Sequence, residues 1–461
     1  MKKYISILAI AAVCVLSCKK GNVSGEDVIR SEKIYGLEFR ANLPSLTRTV
    51  LGTDGLSLKW TASDQIAVWS VPMGTMAEFE ATAEHLYEDY GFNPAEEELG
   101  IVTRIEAMHN GVTNGTTVCE TLSVIEGAGS TSATFHSEKP ARDWFGDLSS
   151  IEDDLYWFAA LYPASALVTA GGAPAFTTWG QLLPKDAFNL KNDYVVPHPF
   201  IKVNVPSVQD GKSYWNYQVV YNTGLYEYEG RMARNLVTAR EVLYNEYPVT
   251  FDKWVVGTSL LEFTLKAADT GTYAIKTIDI TYESPDYYSG STNYYDDFFA
   301  LSGTVPIQFI LDEEYEVFLH NRFCEPYPYM WYIHQDDSVN AWSEMAGASP
   351  KVTLSFADPV SLSDGNAADG LFYAVVIPTM DNQNQTSDGK KPRIRFTAYD
   401  AAGNEILGKV LQMGNTYNYK EEREVYPGIF KGTKYSFNLE LNPVTSPEAG
   451  NAGEYEEIVL N

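Results

Sequence analysis

Basic residues, histidine and cysteine are scarce in this chain. Its 461 residues carry 33 Lys and Arg against 61 Asp and Glu, a formal net charge of -28. A surface of that sign repels polyphosphate, so nucleic acid is not an expected partner. Such acidity suits an exported protein that must stay soluble. The six histidines, His85, His109, His136, His198, His320 and His334, show no metal-ligand spacing. There is no G-x-S-x-G elbow, no P-loop and no G-x-G-x-x-G after a strand. Acidic pairs such as Asp153–Asp154 and Asp296–Asp297 are what so acidic a composition supplies by chance. No enzymatic activity, metal or cofactor is expected. Four cysteines are too few and too scattered for a disulfide framework. Cys119 and Cys324 are expected to be separate, buried small residues. Past the N-terminus no apolar run approaches the about 20 residues that a membrane-spanning helix needs.

What the chain does have begins at its N-terminus. Lys2 and Lys3 precede an apolar run from Tyr4 to Leu16, the layout of an export signal. Val15, Leu16 and Ser17 lead into Cys18, a pattern that resembles the bacterial lipobox, in which cleavage precedes a lipidated cysteine. Residues 1–17 are thus read as a lipoprotein signal peptide, Cys18 as the lipid attachment site and 18–30 as a tether. Several acyl chains together hold a protein stably on a membrane, here the outer membrane.

Hydrophobic residues make up 45% of the chain, enough for substantial cores. The dominant pattern is short runs rich in Val, Ile, Phe, Tyr and Thr, separated by Gly, Asp, Ser and Pro. Examples are Ile34 to Ala41, Leu56 to Trp60, YWFAALYPAS, LLEFTLKA, YAIKTIDITYE, LFYAVVIP and KYSFNLELN. Such spacing predicts an all-β protein of sandwiches or barrels. Helical signal is thin and confined to Thr75–Tyr90 and Met232–Tyr244. A polar interruption over 225–248 places a domain boundary near 240, giving domains over 31–240 and 241–461.

Two aromatic clusters stand out, Tyr282 to Phe299 and Pro326 to Trp342. The plainer reading is a sandwich core with a tyrosine-lined edge. The functional reading is a contact surface for sugar or protein, with Tyr287, Tyr288, Tyr294, Tyr295 and Trp331 as candidate contacts. The stretch Asp381 to Lys390 alternates oxygen-bearing side chains, but it lacks the glycine and closing glutamate of a calcium loop and reads as a polar hairpin.

Several motifs, in order, resemble the fimbrillin family, the type V pilins of Bacteroidetes. They are the lipobox ending at Cys18, then LEFRA, SLTRT and LKWTASDQIAVW, then ATFHS and WFAALYPAS, and late FYAVVIP with YPGIFKGTKYSFNLEL. The resemblance spans most of the chain and implies two β-sandwich domains of transthyretin-like topology. It also implies a non-enzymatic structural or adhesive role in cell-surface fimbriae, with other fimbrial subunits, and a host or bacterial surface glycan or protein, as partners. The family's processing, carried to this sequence, places an arginine-specific cut between Arg48 and Thr49. That cut removes the first strand and opens a groove for a donor strand, for which Glu454 to Leu460 is a candidate. The competing reading is a surface glycan-binding lipoprotein of a polysaccharide uptake system, which the aromatic clusters and the anchor also fit.

Overall fold

A computed structural model describes residues 36–42, 59–92, 97–115, 117–145, 154–183, 185–222, 227–228, 231–232, 236–239, 248–251, 254–283, 300–308, 348–380, 393–413, 416–418, 423–425, 428–429, 434–444 and 456–458. The principal elements, in chain order, begin with β1 (Gly36–Asn42), β2 (Gln65–Thr75), α1 (Met76–His85), α2 (Glu97–Asn114), β3 (Val118–Glu126), β4 (Ser132–Pro140), α3 (Ala141–Phe145) and β5 (Asp154–Tyr162). They continue with β6 (Phe176–Leu183), β7 (Tyr194–Val205), β8 (Val208–Gln209), β9 (Val220–Asn222), β10 (Leu236–Thr238), β11 (Val249–Phe251), β12 (Trp254–Val256) and β13 (Ser259–Ala267). The rest are β14 (Tyr273–Glu283), β15 (Gly303–Gln308), β16 (Lys351–Leu362), β17 (Phe372–Val376), β18 (Arg393–Tyr399), β19 (Glu405–Met413), β20 (Lys434–Pro443) and β21 (Glu456–Ile458).

Two nine-stranded sheets dominate. The first runs β11-β1-β4-β3-β2-β5-β9-β12, with β10 also on β5. Its two edge strands, β11 and β12, are neighbours in sequence, so the sheet curls until its ends almost meet. The Trp254 indole N–H donates to the Phe251 carbonyl across that corner at 3.1 Å. The second sheet runs β8-β16-β14-β18-β19-β20-β13-β17, with β21 also on β19. Here the edges are β8 and β17, and one side chain bridges them. The amide of Gln209, buried to 2% exposure, donates to the Val375 carbonyl at 2.7 Å and accepts from the Val375 N–H at 2.9 Å. It completes the ladder as a peptide group would, alongside the backbone bond from Tyr373 N–H to the Gly211 carbonyl. The protein is therefore mostly β, as two rolled sheets. A third, three-stranded sheet, β15-β7-β6, joins strands from both halves of the chain.

Both rolls share a device. In the first, β1 lies between antiparallel β4 and parallel β11. In the second, β13 lies between antiparallel β17 and parallel β20.

Three cores follow from the strand patterns. Inside the first roll lie Phe39, Trp60, Phe135, Phe158 and Phe251 among others. Inside the second lie residues such as Phe263, Ile278, Phe396 and Leu439. The third core covers the outer face of β2 and β5 and reaches Leu260, Val375 and Ile377 of the second half. The β5 sequence DLYWFAALY is buried at every position after Asp154, as an unbroken apolar run requires when both faces are covered. Part of that cover is α2, whose Val102, Ile105 and Met108 recur at helical spacing.

Several expectations change. The nearly all-β reading misses α2, because Gly100, Gly111 and the β-branched run Ile101–Thr103 mask its apolar stripe. The first helical expectation appears as α1 and a π-helical turn over Leu86–Tyr90. Thr75 and Glu78 form a capping box at the start, and Gly91, at φ 81°, stops the chain. The second fails over Leu236–Thr238, which is strand β10 paired with β5. Lys59 and Trp60, expected in a strand, sit in a turn where Trp60 pairs its backbone with Gly129 and Ser130. Its indole is buried against Phe135, Tyr162 and Trp254. Strands from both sides of residue 240 build the first sheet, and Val208–Gln209 joins the second. Among the described residues no helix is long and apolar enough to cross a membrane.

Candidate functional site: the slot that holds the first strand

The sequence GLEFRAN alternates. Leu37, Phe39 and Ala41 point into the first roll, while Glu38 and Arg40 point out. The outward pair makes an ion pair of 3.0 Å at roughly half exposure, which contributes little. The inward set holds the strand. Phe39 is fully buried, with its ring centroid 5.5 Å from Trp144, 5.6 Å from Phe158 and 6.1 Å from Phe251. Burying a side chain such as Leu or Phe contributes about 1.5–3 kcal/mol.

Register fixes what lies beside each position. Against β4, Phe39 faces Phe135 and Ala41 faces Ala133; against β11, Phe39 faces Val249 and Ala41 faces Phe251. Ala41 is fully buried between these neighbours, so that end of the slot takes only a small side chain. The opposite end is crowded by backbone: a Cβ added at Gly36 would come within 1.6 Å of the Ser137 carbonyl oxygen.

The wall of the Phe39 pocket is held by polar contacts. Trp144 donates its indole N–H to Ser137 Oγ at 2.9 Å, and Ser137 itself is fully buried. Ser137 Oγ donates in turn to the Glu120 carboxylate, which also accepts the Glu138 N–H at 3.1 Å. On the other side of the pocket, the Tyr156 hydroxyl donates to the Phe145 carbonyl at 2.9 Å. Burial, aided by the nearby Asp154 charge, pushes Tyr156 up to about 12.

The residues that sequence reasoning singled out do not gather here. Cys18, Arg48, Thr49, Tyr287, Tyr288, Tyr294, Tyr295, Trp331, Cys324 and the stretch 381–390 all lie outside the described residues. Cys119 is a half-buried free thiol on β3, and burial pushes it up to about 11. Among the described residues no group of three or more His, Cys, Asp or Glu is placed to hold a metal ion.

A second surface feature went unremarked in the sequence. Trp215 is 43% exposed on a short 3-10 turn, Tyr214–Asn216. Burial works against the Asp210 carboxylate there. The N–H groups of Ser213 and Lys212, each 2.7 Å from it, outweigh that and hold it below the usual carboxylate range. The Lys212 ammonium lies 3.6 Å from the centre of the Phe372 ring and donates to the Leu371 carbonyl. The turn is thus fixed from both sides.

No family model matches the chain, and no curated protein is similar to it at a significant level. Solved structures align over most of its length. A candidate cell adhesion protein of Bacteroides ovatus is 10% identical with a TM-score of 0.34, covering 93% of this chain and 99% of that one. A second, from Parabacteroides distasonis, is 10% identical with a TM-score of 0.33, covering 93% and 95%. The fimbrial anchor protein Mfa2 of Porphyromonas gingivalis is 5% identical with a TM-score of 0.28, covering 81% of each chain. These matches are of the kind that the fimbrillin resemblance implies.

Proposed function

We propose that this chain is a structural or adhesive subunit of cell-surface fimbriae. In this reading it is exported as an outer-membrane lipoprotein through Cys18, is cut between Arg48 and Thr49, and is assembled when a strand of another subunit takes the place of β1. The observation that carries the reading is the setting of β1. It is a complete inner strand of the first sheet, and residues 43–58, which include Arg48, join it to the rest of the domain. A cut there leaves β1 held by non-covalent contacts alone. Its departure would uncover the ladder groups of β4 and β11, and each unsatisfied buried group costs about 1–3 kcal/mol. A vacated slot therefore demands a replacement strand.

The test is electron microscopy of filaments from cells carrying a tagged copy, with the N-terminus of the filament-bound chain read by mass spectrometry. Tag on filaments, with chains beginning at Thr49, supports the reading. A tag confined to lipidated, uncut chains on the membrane contradicts it.

Trp215 favours a second reading, glycan contact at the surface, because an exposed indole on a rigid turn offers a flat face for a sugar ring. Trp215→Ala would then abolish binding in a glycan array while leaving the fold intact.

A further inference from the structure

We infer that the β1 slot is built for a strand from a different protein, one with a large aromatic residue at its centre, and that the chain's own C-terminal segment stays at home. This inference rests on the reading above that β1 is replaceable.

The slot has three graded positions. One takes an aliphatic residue (Leu37), the central one a large ring (Phe39), and the last only a methyl group (Ala41). The central position is walled by three aromatic rings, so a small occupant leaves a void there and a charged one goes unpaired. The aliphatic and methyl positions differ in size, so the slot also distinguishes the two directions in which a strand could lie.

The C-terminal segment Tyr455–Leu460 fits no register. Placing Tyr455, Glu457 and Val459 inward puts a carboxylate into the ring pocket. Placing Glu456, Ile458 and Leu460 inward puts a carboxylate in the aliphatic position and a leucine where only a methyl group fits. Reversing the segment moves these faults without removing them. Burying an unpaired carboxylate is prohibitive.

The same segment already has a place. Strand β20 pairs with β19 only at Leu407 and Gly408. The stretch Leu411–Met413 beyond that pairing is covered by Glu456, Glu457 and Ile458 of β21, running parallel. Covering an open strand edge suppresses unwanted pairing. Copies of this chain thus accept a strand without supplying one to each other, and the next subunit in the assembly is a different protein.

The experiment uses the full chain, purified without lipid and cut with an arginine-specific protease, with the cut at Arg48 checked by mass spectrometry. A variant carrying a specific protease site in place of residues 46–49 gives the same cut if Arg48 resists. Three fluorescein-labelled peptides are titrated against it and read by anisotropy: residues 34–42, the same peptide with Phe39→Ala, and residues 453–461. The first should bind, the second about 100-fold or more weakly, in line with the loss of a buried ring, and the third not at all. Light scattering of the cut protein alone should report monomer. Binding of peptide 453–461 within tenfold of the first, or oligomers that vanish when residues 454–461 are deleted, would overturn the inference. If peptide 34–42 itself fails to bind while the cut N-terminal fragment stays on the protein, the reading that β1 is replaceable has failed instead.

Discussion

Phe39 and Phe251 stack with ring centroids 6.1 Å apart and planes 4° from parallel. One comes from the first described strand of the chain and the other from the parallel strand that flanks it at the sheet edge. Their contact joins the ends of the first domain in sequence, so the first roll is completed by residues that fold last to first.

Truncating that ring should be costly. Phe39→Ala is expected to destabilise the first domain by about 3–5 kcal/mol, and Phe39→Leu by less, because a phenylalanine deletion leaves a cavity that aromatic walls fill poorly. Urea denaturation followed by tryptophan fluorescence checks this. An unchanged midpoint for Phe39→Ala would mean that β1 contributes nothing to the folded domain.

Gln209 closes the second roll, and its replacement separates two effects. Gln209→Ala removes the bridge and leaves the Val375 N–H and carbonyl without their partner, a cost of about 2–4 kcal/mol. Gln209→Glu keeps the shape but cannot donate to the Val375 carbonyl and must bury a charge, so it should be the worse of the two. Hydrogen exchange at the Val375 amide should quicken in both.

Two glycines should respond oppositely to the same change. Gly36→Ala meets the Ser137 carbonyl at 1.6 Å, so β1 must shift and its amides should exchange faster. Gly171→Ala has open space and only its φ of 62° to accommodate, a cost of about 1 kcal/mol. Equal stability losses would contradict the crowding at Gly36.

Cys119 should be chemically quiet. With its thiol pushed up to about 11, the thiolate fraction at pH 8 is about one in a thousand, and only the thiolate reacts. Alkylation of the Cys119 peptide by iodoacetamide, followed by mass spectrometry, should stay slow at pH 8 and rise about tenfold per pH unit up to pH 10. Rapid labelling at pH 7 would place the thiol in a different environment.

Much of this was legible in the sequence because its signals are local. Alternation gave β1, β14 and β20 nearly to their ends, and the Thr75–Glu78 capping box marks α1. The stripe Val102, Ile105, Met108 was present too, but two glycines and a β-branched run obscured it. What sequence could not give is register between distant strands. LEFRA shows that a phenylalanine points inward; only pairing with β4 and β11 shows that Trp144, Phe158 and Phe251 surround it. The rolling of each sheet is likewise non-local. Nothing in the string Val208–Gln209 announces that a side-chain amide will close a ladder with Val375.

The central claim is that β1 leaves its slot during assembly, and a reversible lock tests it most directly. Arg40 and Thr134 are partners in the antiparallel β1–β4 pair. Such partners have Cα atoms about 4.5–5.5 Å apart, within disulfide reach. Cells expressing the Arg40→Cys, Thr134→Cys double variant are grown without and with a mild reductant, and the share of chain in sedimentable surface filaments is measured. The account predicts that oxidised, locked chains are exported and cut yet stay out of filaments, and that reductant restores them to the wild-type share. Locked chains that enter filaments as readily as wild type would contradict it, because assembly would then proceed with β1 in place.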